Sequence, residues 1–290
     1  MTAFRRILFP VDLSKQGLEA APFVAAMAKR FDSEVYLVHV VQVPCPWYES
    51  PEAMSLQSTA NLQTVVTESS ARLDSYLAGE LAGVRACRMV VQGEPARAIT
   101  DIARDRQADL IMMPTHGYGP FRRMLIGSVT AKVLHDAQCP VWTGVHTDQL
   151  WSEKGAGWQR FLCAVDTEAQ DGELLKWAAQ FAREQGAQLQ VVHAVHEAAP
   201  IPSTQESETL RDFLLGVARE RLAKMQAAIG TDFDIWMRFG KVGHVVHQAA
   251  LDHQADLVLI GRGLLRKPLG RLRSQSYAVI REAPCPVISV

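Results

Sequence analysis

Hydrophobic and polar positions follow two alternating patterns along the chain. Short apolar runs such as Ile7–Val11 and Val35–Val41 are too short for helices and are bounded by polar or turn-forming residues, which predicts β-strands. Between them, apolar residues recur at helical spacing, as in the segment Ala20–Met27, where they share one face. Apolar strands that alternate with helices predict a parallel sheet covered by helices on both faces.

The same alternation continues through the first half of the chain. Three further strands are predicted there: Val84–Val91, Leu110–Met113 and Pro140–Val145. Helices are predicted over Asn61–Leu81, from Pro95 at a first helical position, and through Val129–Leu134. Ser14, which follows the first strand, is predicted to cap the N-terminus of the first helix.

This pattern occurs twice. Four segments of the first half recur in the second, displaced by 154, 154, 147 and 146 residues. The pairs are Ile7–Asp12 with Phe161–Asp166, Val35–Val40 with Leu189–Ala194, Ala108–Met113 with Ala255–Ile260, and Cys139–Val141 with Cys285–Val287. The small drift in displacement is typical of insertions in loops. We therefore expect two tandem α/β domains, 1–147 and 158–290, each with a five-stranded parallel sheet.

The composition of the chain mainly excludes classes of partner and of cellular location. The 290 residues carry a net charge of −1, which gives no electrostatic basis for nucleic acid or an anionic membrane as partner. No apolar run reaches the roughly 18–20 residues that span a bilayer, and the N-terminus lacks signal-peptide features. The five cysteines are scattered, without C-x-x-C spacing, which indicates reduced, buried thiols. We expect a cytoplasmic protein that binds neither nucleic acid nor membrane.

Candidate chemistry lies at two predicted strand ends. In an open α/β sheet, ligands bind beyond the carboxyl ends of the strands, where the strand order reverses. Asp12 follows the first strand, Pro114-Thr115-His116-Gly117 follows the fourth, and Gly127-Ser128-Val129-Thr130 opens a helix nine residues later. Free amides at that helix N-terminus favour an anion. The alternative from spacing alone is a plain loop-to-helix turn with a serine cap.

Other residues of this segment fit a phosphate chain. Gly117 and Gly127 let the backbone approach a pyrophosphate closely and can adopt positive φ. The hydroxyls of Ser128 and Thr130 can add hydrogen bonds. The intervening loop contributes Arg122 and Arg123, whose guanidinium groups can reach phosphate oxygens.

The first repeat resembles the universal stress protein family, whose nucleotide-binding members carry G-x2-G-x9-G-[ST]. Here Pro114-x2-Gly117-x9-Gly127-Ser128 matches the second and third glycines and the hydroxyl. The flanks match at Val11-Asp12-x-Ser14, His39-Val40 and Cys139-Pro140-Val141. The resemblance implies Rossmann-like domains of the adenine nucleotide alpha hydrolase type and an ATP-type ligand, alone or with magnesium. The residues that it implies around the nucleotide are Pro10, Val11, Asp12, Val40, Met113, Pro114, Thr115, His116, Gly117, Arg123, Gly127, Ser128, Val129 and Thr130.

Two departures from the motif affect this expectation. Pro114 replaces the first glycine, which removes an amide donor and fixes φ, so the site survives only if an extended backbone suffices there. In the second repeat, Arg273 stands where the first has Gly127 and Leu264 stands where it has Gly117. The second domain is therefore expected to hold no nucleotide, and its basic segment Arg262–Arg273 is interpreted as a solvated loop, with an anion or partner surface as the alternative.

Histidines and Asp166 offer weaker constellations. His244-x-x-His247, with His253 nearby, has the spacing of a shared metal site but lacks supporting carboxylates or cysteines, so surface histidines are favoured. His39 and His193 end equivalent strands, which predicts imidazoles bonded to backbone. Asp166 either mirrors Asp12 as a ligand group or caps the following helix.

Three functional hypotheses remain open. The first is a stress-response or signalling module with ATP in the first domain; the second is a nucleotide-free scaffold that acts through protein contacts. The third is an adenine-nucleotide hydrolase, at most a slow ATPase, because no nucleophile elbow, Walker lysine or metal-binding carboxylate set is present. The apolar final strands Pro140–Val145 and Pro286–Val290 are predicted edges that invite pairing. The resemblance implies that the two domains pair through them as an internal pseudo-dimer, and we expect the chain to form a homodimer.

Overall fold

A computed structural model describes residues 4–42, 57–114, 126–144, 158–167, 171–195, 205–262 and 271–290. These residues fall into two compact units. The first contains the described residues of 4–114 together with Gly127–Trp142, and the second contains the described residues from Thr143 to Val290. Each unit is one repeat of the sequence, and each is described by itself below.

The first unit is a parallel sheet with its strands in the order β3-β2-β1-β4-β5. Its elements are β1 Arg6–Val11, α1 Lys15–Phe31, β2 Glu34–Val41, α2 Gln57–Ser75, β3 Arg85–Gln92, α3 Pro95–Asp105, β4 Leu110–Pro114, α4 Ser128–Asp136 and β5 Val141–Gly144. Strand order reverses between β1 and β4. Because such crossovers are right-handed, α1 and α2 cover one face, and α3 and α4 the other. The predicted fold class is confirmed.

The second unit repeats this topology, with its strands in the order β10-β9-β6-β7-β8. Its elements are β6 Arg160–Ala164, α5 Asp171–Gln185, β7 Gln188–Val195, α6 Gln205–Ile229, β8 Ile235–Phe239, α7 Val242–Asp252, β9 Leu257–Ile260, α8 Arg271–Glu282 and β10 Val287–Ser289. β6 pairs in parallel with both β7 and β9, as β1 does with β2 and β4. Within the described ranges, every helix is too short or too polar to cross a membrane.

Local sequence accounts for the first strand and helix. Ile7, Leu8 and Phe9 have no exposed surface, because β1 lies between two neighbouring strands. Ser14 caps α1 and accepts a hydrogen bond from the Gln16 amide, as predicted. The helix ends at Asp32, whose left-handed backbone (φ 50°) lets its amide bond back to the last turn.

The second helix differs from its predicted bounds. Asn61–Leu81 was expected to be helical, whereas α2 covers Gln57–Ser75. Leu77 adopts a left-handed conformation (φ 57°), which no α-helix can continue through. The apolar residues that predicted a longer helix continue beyond Ser75, but they lie in a series of turns that ends at Gly83 (φ 75°).

The cysteines are largely inside the two units. Cys163 and Cys285 are buried, Cys87 and Cys139 are half-buried, and Cys45 lies outside the described residues. Burial raises the pKa of the Cys285 thiol, with a smaller contribution from nearby Asp256, so this thiol stays protonated at neutral pH. The expectation of buried thiols is met fully at two of the four described positions.

Candidate functional site

A cavity of about 550 Å³ lies at the carboxyl ends of the strands in the first domain. Ten of the fourteen residues predicted around the nucleotide line it: Pro10, Val11, Asp12, Val40, Met113, Pro114, Gly127, Ser128, Val129 and Thr130. The other four, Thr115, His116, Gly117 and Arg123, lie outside the described residues, as does Arg122. The sequence thus identified one wall of a real cavity, assembled from β1, β2, β4 and α4.

Pro10 marks the place where the sheet opens into this cavity. β1 pairs with β2 as far as Val11, but its register with β4 stops at Leu8. Proline has no amide hydrogen with which to extend a strand ladder. In the second domain the equivalent residue is Ala164, and pairing between β6 and β9 continues through it to Ile260. The strands of the first domain therefore separate two residues earlier.

The N-terminus of α4 supplies uncapped amides to the cavity. Gly127 is the N-cap residue and has no side chain with which to cap the helix, and among the described residues no side-chain cap bonds to the amides of the first turn. The Ala131 amide makes the first helical bond, to the Gly127 carbonyl at 2.8 Å, so the amides from Gly127 to Thr130 precede that ladder. Gly127 has φ −57° and ψ 145°, so it does not use the positive φ that glycine can adopt, and any residue can take this conformation.

Thr130 and Pro114 connect this helix to β4. The Thr130 hydroxyl donates to the Pro114 carbonyl at 3.2 Å, and the Thr130 residue is only 5% exposed. Its proton is thus used to join helix and strand, while exposed Ser128 has its hydroxyl at the cavity wall. Pro114 is the last residue of β4, in extended backbone. A proline fits the extended backbone at the end of a strand, because its φ of about −65° is allowed there.

Asp12 lies in a tight turn between β1 and α1. Its carboxylate accepts a hydrogen bond from the Ser14 amide at 3.0 Å. Leu13 between them has a left-handed backbone, with φ 58°. The turn leaves Asp12 exposed at the cavity, where its remaining oxygen lone pairs can accept hydrogen bonds from a ligand.

In each domain, a histidine side chain bonds to the backbone where two neighbouring strands end. His39 Nδ1 donates to the Val11 carbonyl at 2.9 Å, and His193 Nδ1 donates to the Val165 carbonyl at the same distance. The predicted imidazole–backbone contact is confirmed twice. Since it occurs in both repeats, it is a feature of the fold that positions the strand ends, independent of the motif around Gly127.

The second domain keeps a smaller cavity, of about 270 Å³, at the equivalent place. It retains Asp166 and His193, but its helix differs. α8 begins at Arg271, whereas the residue that aligns with the start of α4 is Ser274. The amides that correspond to Ser128–Thr130 therefore lie within α8, where helical hydrogen bonds occupy them. Asp166 accepts from the Thr167 amide at 2.7 Å, so its turn also differs from that of Asp12.

The structure also tests the interpretations of the basic segment Arg262–Arg273 and of the histidines His244 and His247. The interpretation of Arg262–Arg273 as a solvated loop is wrong at Arg262, which is only 5% exposed and whose amide donates to the Val290 carbonyl. Residues 263–270, with Leu264, lie outside the described ranges. His247 Nδ1 donates to the Glu282 carbonyl at 2.6 Å, so this nitrogen is not available to an ion, and His244 is exposed. Within the described ranges, no cluster of three His, Cys, Asp or Glu side chains has metal-binding geometry.

Sequence reasoning missed several residues of the cavity wall. Gln16 and Gly17 of α1, Ser69 of α2, and Pro95 and Ile99 of α3 also line it. They carry no motif, and only the packing of three helices on the sheet brings them together. Pro95 was predicted at a first helical position, which the structure confirms, but not at the cavity.

Comparison with known proteins identifies the repeat. The profile of the universal stress protein family matches the chain twice, over residues 3–143 and 157–290. A universal stress protein of Methanocaldococcus jannaschii is 35% identical over 138 residues, which cover 48% of this chain and 80% of that protein. One of Thermus aquaticus is 32% identical over 142 residues, 48% of this chain and 96% of that protein.

A solved structure shares the whole architecture. The crystal structure of a universal stress protein from Archaeoglobus fulgidus aligns with 100% of this chain and covers 97% of its own, with a TM-score of 0.62. The two sequences are 19% identical, so the likeness concerns the fold.

Proposed function

Because this chain belongs to the universal stress protein family, we propose that its first domain binds an adenine nucleotide, with ATP as the main ligand. The phosphates lie at the N-terminus of α4, and the nucleoside lies toward the ends of β1 and β2. The protein acts as a cytoplasmic stress-response module that senses or carries the nucleotide, and it forms homodimers. No nucleic acid or membrane takes part.

The observation that carries this proposal is the uncapped start of α4 beside a cavity of about 550 Å³. Unbonded amides at a helix N-terminus bind anions, because their partial positive charges converge on one point. In many helices a Ser, Thr, Asp or Asn side chain satisfies these amides. Gly127 cannot, so the helix leaves them to a ligand.

The remainder of the cavity suits a nucleoside. Pocket walls for such ligands are mostly apolar with a few polar groups that fix orientation. Val11, Val40 and Met113 provide apolar surface, and the exposed Asp12 carboxylate provides a hydrogen-bond acceptor at the rim. A ribose hydroxyl or an exocyclic amine is a donor that fits this acceptor.

The second domain is proposed to hold no nucleotide. Its cavity has about half the volume of the first, and α8 extends one turn further toward it. Because helical hydrogen bonds occupy the amides that correspond to Ser128–Thr130, a triphosphate at this place would lack the helix-terminus donors that the first domain offers, which disfavours its binding.

Turnover of the nucleotide is not part of the proposal. A hydrolase needs a base within hydrogen-bond reach of an attacking water, or a metal held by protein carboxylates. Asp12 is the carboxylate among the described residues that line the first cavity, and its turn is bonded to Ser14. Phosphate release above background that disappears in Asp12→Asn would instead support the hydrolase hypothesis.

Titration calorimetry of the purified full chain with ATP, AMP, cyclic AMP and inorganic triphosphate tests the proposal. We expect ATP to bind with a stoichiometry of one per chain. AMP should bind roughly tenfold more weakly or worse, because each charge-assisted hydrogen bond contributes about 1.5–3 kcal/mol. Absence of heat with all four ligands would favour the nucleotide-free scaffold, and two ATP per chain would refute the assignment to one domain.

A further inference from the structure

Tyr76 lies against the turn that carries Asp12, although it comes from a distant part of the chain. Its hydroxyl donates to the Ser14 carbonyl at 2.5 Å. The ring packs on Gly17 so closely that a Cβ at that position would lie 2.2 Å from the hydroxyl oxygen. Glycine in the first turn of α1 is therefore required for this hydrogen bond to form.

The turn held in this way is strained. Leu13 is in the left-handed region, which a leucine adopts only when surrounding contacts impose it. Two hydrogen bonds flank it on Ser14: the amide donates to Asp12 Oδ1, and the carbonyl accepts from Tyr76. Loss of the second bond removes the contact that fixes the Ser14 carbonyl, so the turn depends more on the bond to the Asp12 carboxylate, which a ligand would also use.

Tyr76 is itself anchored to the sheet. Arg88 of β3 donates through Nε to the Leu73 carbonyl at 3.0 Å and through Nη2 to the Tyr76 carbonyl at 3.4 Å. These bonds hold the end of α2 and the residue that follows it against the edge of the sheet. Arg88 of β3 thus fixes the position from which the Tyr76 hydroxyl contacts the β1–α1 turn.

We propose that Tyr76 is a positioning residue of the nucleotide site, which holds the β1–α1 turn in the conformation that presents Asp12 to the ligand. This inference rests on the proposed function, since it assumes that the cavity takes a nucleotide. Tyr76 does not need to touch the ligand. It acts through Ser14, and Gly17 makes room for it.

The described residues of the second domain show no equivalent of this contact. In the first turn of α5 the glycine is Gly172, and the side chains that face it are Met225 and Ile229 of α6. A Cβ on Gly172 would lie 3.5 Å and 3.6 Å from them, an ordinary contact distance. Neither side chain has a hydroxyl. The tyrosine contact thus occurs in the domain with open helix amides and not in the described part of the other.

The test compares two Tyr→Phe variants of the full chain. Tyr76→Phe should weaken ATP binding roughly three- to tenfold, the effect of one net hydrogen bond. Tyr36→Phe is the matched control, because the Tyr36 hydroxyl also donates a hydrogen bond, but to Glu34 at 2.7 Å and not to the β1–α1 turn. It should change the dissociation constant less than twofold.

Two further readouts separate positioning from general loss of stability. Hydrogen exchange without ligand should become faster at the amides of residues 13–16 in Tyr76→Phe, and stay at the parent rate in Tyr36→Phe. Gly17→Ala should weaken ATP binding as Tyr76→Phe does, although alanine favours helix. Added to Tyr76→Phe, it should cause a smaller loss than it does in the parent protein, because the closest clash, with the hydroxyl oxygen, is gone.

Equal ATP affinity of the two Tyr→Phe variants would overturn the positioning role and leave the proposed function intact. Unchanged exchange of residues 13–16 in Tyr76→Phe would also overturn it. A parent protein that binds none of the nucleotides would overturn both.

Discussion

Replacement of Gly127 by aspartate is expected to stabilise the first domain and at the same time to abolish its nucleotide binding. Gly127 is the N-cap of α4, and its φ and ψ (−57° and 145°) suit an aspartate as well as a glycine. An aspartate there bonds to amides of the first turn. Against glycine this contributes a few tenths of a kcal/mol, and the helix dipole adds about 0.3–1 kcal/mol.

The same carboxylate takes the place assigned to the phosphates. It occupies at least one of the amides and repels the negative ligand. Loss of one or two charge-assisted hydrogen bonds, each about 1.5–3 kcal/mol, predicts a fall in ATP affinity of roughly 100-fold or more. Gain of stability with loss of binding is an unusual pair of effects, because most variants that lose a ligand through damage to the fold also lose stability.

Lys241→Asp provides the matched control. Lys241 is the N-cap of α7 in the second domain, with φ −69° and ψ 132° and no side-chain cap. It should give an equal or larger gain in unfolding free energy, because lysine, unlike glycine, is not a favoured N-cap residue, and it should leave ATP binding unchanged. The assay is thermal unfolding with and without ATP, together with calorimetric titration of each variant. Parental ATP affinity in Gly127→Asp would refute the assignment of the phosphates to α4.

Three other outcomes are expected. Pro10→Ala restores an amide donor to β1, so it should raise the melting temperature and, by closing the gap between β1 and β4, weaken ATP binding. Unchanged ATP affinity would show that the separation of these strands does not shape the cavity. Hydrogen bonds, first from the Arg97 amide, lower the pKa of Glu94. The Glu94 carboxylate therefore stabilises the fold above its ordinary pKa of 4.5, and this stabilisation is lost as the pH falls. The loss of melting temperature caused by Glu94→Gln should accordingly be smaller at pH 3 than at pH 7. Burial raises the pKa of Asp256, whose ionisation therefore costs stability as pH rises above its ordinary pKa of 3.8. Asp256→Asn should accordingly be less destabilising, relative to the parent, at pH 7 than at pH 4, and the reverse order would contradict the effect of burial.

Much of the site could be predicted from sequence because its residues come directly after strands. Asp12 and Pro114 follow apolar runs, and the carboxyl ends of neighbouring parallel strands must meet at one edge. The cap at Ser14 depends only on residues within one turn, so local sequence was sufficient. The repeat predicted the second domain by the same logic.

The rest depends on contacts between distant residues. Whether Pro10 interrupts a ladder depends on which strand lies beside it, and strand order is a property of the whole sheet. The early start of α8 could not be read from Arg271–Arg273, whose residues favour helix with or without a ligand site. The role of Tyr76 could not be predicted from local sequence, because Tyr76 lies 62 residues from the Ser14 carbonyl that it contacts.

The central claim is that uncapped amides of the first domain hold the phosphates of a nucleotide. A crystal structure of the full chain grown with ATP tests it most directly. The account predicts phosphate oxygens within hydrogen-bond distance of the amides of residues 128–130, with the cavity of the second domain free of nucleotide. A triphosphate bound at α8, or one in the first domain whose oxygens contact side chains far from α4, would contradict it.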